Sequence, residues 1–144
     1  MGPGSGRPEA EGRVLWLQHE IVAPRSPATG LPTGKRHHKL LALRRELTAP
    51  SIGIRQAFAT NEILTEVRLR FYQTAGLGVP KQTYTIQLFK AQVIGWRMVL
   101  PYTRAQNKDV HPSIHEEISF SYLSIVWTWN DPQMVASDDW LVAR

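Results

Sequence analysis

Glu66-Val67-Arg68-Leu69-Arg70-Phe71-Tyr72, then Thr74-Ala75-Gly76-Leu77-Gly78-Val79-Pro80, then Tyr84-Thr85-Ile86-Gln87-Leu88 is the stretch that decides the fold. Val67, Leu69 and Phe71 alternate with Glu66, Arg68, Arg70 and Tyr72. That period of two puts the apolar side chains on one face of a strand. The link of glycines and a proline turns the chain back, so the two runs form a hairpin. In the return strand Tyr84, Ile86 and Leu88 share a face, but Ala91 and Val93 then take over the inward parity. A switch of parity needs a bulge or a bend, which is predicted between Phe89 and Gln92.

The same reading extends outward. From Glu116 to Trp129, Ile118, Phe120 and Tyr122 lie on one face, whereas Leu123, Ile125, Trp127 and Trp129 have the opposite parity. One long strand that changes faces midway is predicted, ending at Asp131-Pro132, with a short tail that carries Trp140 back to the body. Upstream, Val14-Leu15-Trp16-Leu17 and His19-Glu20-Ile21-Val22 read as strand until Pro24. His38 to Leu47 reads as a second strand, with Leu41, Leu43 and Leu47 on one face and Arg44 and Glu46 on the other. Thr48 is placed to cap a short helix with Pro50 in its first turn. Ile54, Ala57 and Phe58 supply its apolar stripe, and Asn61 suits its end. Two long strands that change faces are what a small closed or two-sheet barrel uses at its corners. The expected fold class is therefore mainly β: a small antiparallel β-barrel or two-sheet sandwich with one short flanking helix. The absence of a βαβα pattern argues against a doubly wound nucleotide-binding fold.

Two connectors are long. Residues 24–36 contain Pro24, Pro27, Gly30, Pro32 and Gly34, and residues 101–115 are polar and bounded by Pro101 and Pro112. Loops of this length in compact domains are usually functional or disordered. Beyond Met1, residues 1–12 have no large apolar side chain and are expected to be flexible, which leaves 13–144 as the folded domain.

Composition narrows the function classes. The 144 residues contain no cysteine, so disulfides and thiolate metal sites are excluded. No apolar run approaches the roughly 20 residues needed to cross a bilayer as a helix, and membrane insertion is not expected. The N-terminal segment lacks the apolar core of a secretory signal peptide. The formal net charge of +5 is modest and the basic residues are scattered. Arg44, Arg45, Arg68 and Arg70 sit beside acidic neighbours and read as a solvated or interfacial charged face, and no nucleic-acid partner is expected.

Local motifs for chemistry are weak. Gly30-Leu31-Pro32-Thr33-Gly34-Lys35 imitates a phosphate loop, but Gly30 lies one residue too close to Gly34-Lys35, Arg36 stands where Ser or Thr is needed, and a strand follows. His37 and His38 are adjacent and point to opposite faces of a strand. His111 and His115 have helical metal spacing without a third ligand. Glu116-Glu117 face apart on a strand, and Asp138-Asp139 read as solvated tail carboxylates. No nucleophile elbow surrounds Ser51, Ser119, Ser121 or Ser124. No catalytic, cofactor-binding or metal residue is assigned, no cofactor is expected, and the chain reads as a non-enzyme. Trp127 and Trp129 share a strand face and could stack on bases or sugars. Core or interface packing suits them better, because Leu123 and Ile125 continue that face. An oligonucleotide- or carbohydrate-binding β-barrel is the alternative reading.

Ordered segments carry a family resemblance. They are His19-Glu20-Ile21-Val22-Ala23-Pro24-Arg25; Ala28-Thr29-Gly30-Leu31-Pro32-Thr33-Gly34-Lys35-Arg36; Asn61-Glu62 with Leu64-Thr65-Glu66-Val67; Phe71-Tyr72 with Tyr84-Thr85-Ile86; Glu116 to Tyr122 with Ile125-Val126-Trp127-Thr128-Trp129; and Asp138-Asp139-Trp140. Together they resemble the haemolysin-coregulated protein (Hcp) family, the tube protein of the bacterial type VI secretion system. The resemblance implies subunits that form hexameric rings, rings that stack into a hollow tube, and partners in the spike, sheath and effector proteins of the machine. It implies assembly in the bacterial cytoplasm and export through the machine without a signal peptide. It also implies that a long loop reaches the neighbouring ring, here with Pro24, Arg25, Gly30, Leu31, Pro32, Thr33, Gly34, Lys35 and Arg36 as contact residues. Two departures stand out. The apolar strand with which family members usually begin is replaced by MGPGSGRPEAEGR, which would leave an open edge. The helix start reads Thr48-Ala49-Pro50-Ser51 without the family's usual acid and lysine.

Overall fold

The computed structural model describes residues 12–76, 78–101 and 114–140. The strands are β1 (Val14–Gln18), β2 (Ile21–Val22), β3 (His37–His38), β4 (Leu41–Glu46), β5 (Leu64–Ala75), β6 (Val79–Val99), β7 (His115–Ser121), β8 (Ser124–Asn130) and β9 (Gln133–Asp139), with one helix, α1 (Ser51–Ala59). Over these residues the chain is mainly β with one short helix, as expected, and the pairings within its larger sheet are antiparallel. It divides into two compact units, and β6 runs from one into the other.

The first unit holds β1, β4, β7 and the second half of β6, paired in that order, together with α1. Its core rows follow the register. Leu41 lies opposite Phe120 and Phe120 opposite Val93; Leu43 lies opposite Ile118 and Ile118 opposite Trp96. The next row on the same face pairs Arg45 with Glu116. Both are buried, their side chains 6% and 0% exposed, and Arg45 Nε donates to Glu116 Oε1 at 2.6 Å. The other carboxylate oxygen accepts Trp96 Nε1 at 2.9 Å. Arg45 therefore departs from the solvated face assigned to it, and Leu47 is exposed rather than inward. A charged residue on the apolar parity is stable here because its partner sits directly across the strand pair.

Helix α1 lies in the same unit, with Ser51 and Ala57 buried and the Arg55 guanidinium 4.5 Å from the centre of the Trp96 ring. Its N-cap is Pro50, without a side-chain cap. The Ser51 hydroxyl instead accepts the Thr48 N–H at 2.9 Å, so Thr48 is not the capping residue. Asn61 ends the helical region in a left-handed conformation, φ 53°, which suits its short polar side chain.

The second unit contains β5, the first half of β6, β8 and β9, paired in that order. Ile86, Leu88, Ala91 and Ile125 are buried there. The predicted bend falls at Lys90, whose φ is +48°. On the N-terminal side of that residue β6 pairs with β8 up to Phe89, and on the C-terminal side it pairs with β7 from Gln92. The expected single strand from Glu116 to Trp129 is likewise two strands. The break comes at Tyr122-Leu123, where the parity switches and the Leu123 N–H bonds Phe89 C=O at 3.0 Å. A further irregularity at Ile94, between Val93 and Gly95, had no parity signal. Gly95 packs closely there: a Cβ would stand 3.3 Å from Ser119 Cβ. The tail expected after Pro132 is strand β9, hydrogen-bonded along β8.

A lysine at positive φ stores strain of about 1–2 kcal/mol, partly offset in glycine by its larger unfolded-state entropy. Lys90→Gly is therefore expected to raise unfolding free energy by up to about 1 kcal/mol, whereas the β-branched Lys90→Val lowers it by about 1–2 kcal/mol. Urea midpoints of the two variants check the sign.

Candidate functional site

The candidate surface is the loop 24–36 and the side chains at its base, all within the second unit. The loop closes on itself. Arg25 and Pro32 form an isolated bridge. Ser26 N–H bonds Leu31 C=O at 2.8 Å, Gly30 N–H bonds Ser26 C=O at 2.8 Å, and Thr33 N–H bonds Pro24 C=O at 3.0 Å. Side chains complete it: the Ser26 and Thr29 hydroxyls accept the Ala28 and Leu31 N–H groups, and the Arg25 guanidinium donates to Gly30 C=O. Gly30, at φ 70°, makes the reversal that an L side chain rarely adopts. The amides of Ser26, Gly30, Leu31 and Thr33 are thus already used within the loop. Leu31 is 63% exposed, and Thr33, Gly34 and Lys35 are exposed with it.

Arg36 is held differently. Its Nε donates to Asp138 Oδ2 at 2.7 Å and its Nη2 to Asp138 Oδ1 at 2.5 Å, a two-pronged ion pair. His38 is buried beside it, Nε2 3.0 Å from Asp138 Oδ2 and Nδ1 2.8 Å from the Tyr122 hydroxyl. An ionised carboxylate only accepts, so Nε2 carries a proton; in the neutral ring Nδ1 then accepts from Tyr122. Trp140 stacks on His38 with centroids 5.6 Å apart and meets Tyr122 edge-on at 4.9 Å. His37 points away and is exposed. Asp138 is therefore no solvated tail carboxylate, while Asp139 is exposed.

The other candidates are placed as follows. Glu116 and Glu117 do face apart: Glu116 is buried with Arg45, and Glu117 accepts Arg44 Nε at 2.9 Å and Arg97 Nη2 at 2.8 Å. His111 and most of the 101–115 loop lie outside the described residues, as does the segment 1–11; His115 belongs to β7. Among the described residues no group of three or more His, Asp or Glu side chains is arranged to hold a metal. Trp129 is 42% exposed and lies in a row across the second unit's sheet, Phe71 opposite Tyr84, Tyr84 opposite Trp129, Trp129 opposite Met134. Its indole N–H donates to Asp131 C=O at 3.1 Å, and Trp127 is half-buried on the same face.

The family model described as "Type VI secretion system effector, Hcp" matches residues 6–129. The chain belongs to the Hcp family. It is 29% identical over 127 residues to the "Major exported protein" of Pseudomonas aeruginosa, covering 88% of this chain and 73% of that protein. Solved structures share the Hcp fold. A crystal structure of an Hcp protein superposes with a TM-score of 0.81 at 24% identity, covering 88% of this chain and 76% of that one. An Hcp1 variant from E. coli EAEC 042 gives 0.76 at 22% identity, covering 90% and 80%. Hcp proteins are structural components of a secretion system rather than a family of enzymes.

Asp138-Asp139-Trp140 is one of the segments that carry the family resemblance, which assigns it no role. The structure supplies one, at the base of the loop. Arg36 and two neighbouring groups shape the charge there. Hydrogen bonds from Arg36, above all, hold the Asp138 carboxyl down at about 2, with the Asp139 N–H and His38 acting in the same sense against burial. Burial, then the Asp138 charge, pushes the Tyr122 hydroxyl well above its ordinary value. The Glu117 carboxyl is lowered by Arg44 and Arg97. A depressed carboxylate stabilises the fold above its unfolded value and loses that contribution as pH falls. Asp138 is therefore expected to contribute about 1–2 kcal/mol at neutral pH, lost between about pH 4 and pH 2. Tyr122 works in the opposite direction: its contribution is complete below about pH 10 and is lost as pH rises beyond that. Urea midpoints measured across pH should fall at both ends, and Tyr122→Phe should flatten the alkaline arm.

Proposed function

We propose that this chain is a non-enzymatic subunit of a type VI secretion tube, with residues 13–144 as its tube domain. Six copies close into a ring, rings stack into a hollow tube, and effector proteins are carried in the lumen. Spike and sheath proteins are its other partners. It assembles in the bacterial cytoplasm and leaves through the machine, without nucleic acid and without insertion in a membrane. The observation that carries this reading is the match of the Hcp family model along residues 6–129. The fold likeness at a TM-score of 0.81 agrees with it.

In this reading the loop 24–36 is the ring-to-ring connector. It is suited to that task by being internally bonded, exposed and basic at its end. Light scattering and electron microscopy of the purified protein test the assembly: rings near six times 16.3 kDa, or stacks of them, are expected. Monomer alone across a wide concentration range overturns it. Lys35 is the clean probe of stacking, since Arg36 is tied to Asp138. Lys35→Glu is expected to leave unfolding free energy within about 0.5 kcal/mol of the parent while shifting stacks toward single rings. Stacking unchanged would remove the connector role.

A further inference from the structure

We propose that Asp138 and Trp140 are positioning residues for the 24–36 loop: they fix its C-terminal root through Arg36 and His38, so the end of β9 sets how the loop is presented. The loop as a contact surface rests on the function proposed above; the clasp at its root does not.

The argument starts from what the loop's roots lack. Strands β2 and β3, which flank the loop, pair as a ribbon of two residues each. Even a full two-stranded hairpin is marginal in water, so a ribbon this short cannot define the direction of a long loop. The loop's own hydrogen bonds close it between Pro24 and Thr33, and the Lys39 N–H bonds Glu20 C=O just beyond the ribbon, but none of these bonds reaches a residue outside 20–39. The missing constraint comes from residues about a hundred positions away. Asp138 accepts two bonds from Arg36, one from His38 and one from the Asp139 N–H at 3.0 Å, which fills the acceptor sites of a carboxylate. The planar guanidinium allows one orientation of the Arg36 fork, so the pair fixes an angle as well as a distance. His38, two residues on, is closed in by Tyr122, Asp138 and Trp140. Trp140 is itself fixed by its backbone N–H, which bonds Leu123 C=O at 2.8 Å. A cluster serving stability alone would not need to grip both Arg36 and His38 at one root of an exposed loop.

The chain has no cysteine, so site-directed spin labels can be placed without background. Labels at Leu31→Cys on the loop and Arg70→Cys on β5, in subunits diluted with unlabelled chain, report the loop-to-sheet distance distribution. Asp138→Ala and Trp140→Ala are each expected to broaden that distribution at least twofold, whereas Trp140→Tyr keeps it narrow. Leu88→Ala, which destabilises the same unit without touching the clasp, is expected to leave the width unchanged. If Asp138→Ala does not fold, Arg36→Gln breaks the same bonds from the more exposed side and carries the test. An unchanged width in the folded clasp variants overturns the proposal, whatever the rings do. A broadened width with normal ring stacking supports the clasp and counts instead against the connector role of the loop.

Discussion

Glu116→Ala is expected to destabilise the protein by about 3–5 kcal/mol, the largest effect of any single replacement considered, because it takes away the carboxylate that faces a buried guanidinium. Arg45 would keep a full charge in a site where its side chain is 6% exposed, and the Trp96 indole N–H would lose its acceptor. Glu116→Gln should cost less, since it keeps an acceptor for one of the two donors, although it loses the charge and turns an amide NH2 toward the other. The informative comparison is the double replacement Arg45→Met with Glu116→Leu. Removing both charges takes away the desolvation cost as well as the attraction, and such exchanges are often neutral or stabilising by about 1–4 kcal/mol. Thermal and urea unfolding of the three variants decide the matter. A Glu116→Ala protein as stable as the parent would mean that Arg45 reaches solvent by a small shift and that the pair is not a buried one.

The second large effect lies in the middle of β6. Leu88 is fully buried in the second unit, while Val79 at the start of the same strand is 68% exposed. Leu88→Ala is expected to cost about 2–5 kcal/mol, the sum of lost transfer energy and the cavity left behind. Val79→Ala should fall within about 0.5 kcal/mol of the parent. The contrast tests whether burial follows position along the strand. Equal effects of the two replacements would contradict the packing described for β6.

Much of the fold was legible because strands write their burial at a period of two. Val67, Leu69 and Phe71 showed it directly. The bend at Lys90 was legible for the same reason, since Ala91 and Val93 broke the parity of Ile86 and Leu88. The irregularity at Ile94 was not, because the residues after it carry no clean alternation. Strand β9 was missed because Gln133–Asp139 is mostly polar and exposed; it is a strand through its pairing with β8 rather than through any pattern of its own. Arg45 read as part of a charged face and Glu116 was matched to no partner, because nothing local distinguishes a charge that meets its partner across two strands from one that meets water. The clasp was the least legible feature. Arg36, His38, Tyr122, Asp138 and Trp140 are scattered over a hundred residues, and neither the tail reading of Asp138-Asp139 nor the family resemblance said what the last segment grips.

The buried ion pair has a consequence for how β4 finds β7. A slip of one residue would turn apolar side chains to solvent, and the alternation already forbids it. A slip of two keeps every residue on its proper face, so hydrophobicity alone barely opposes it. With such a slip Arg45 would stand opposite Ile118, or Glu116 opposite Leu43, and each would be a bare charge among hydrocarbons. The pair therefore works as an index mark on the strand, and a chain stripped of it could stay stable while losing count of its own alignment.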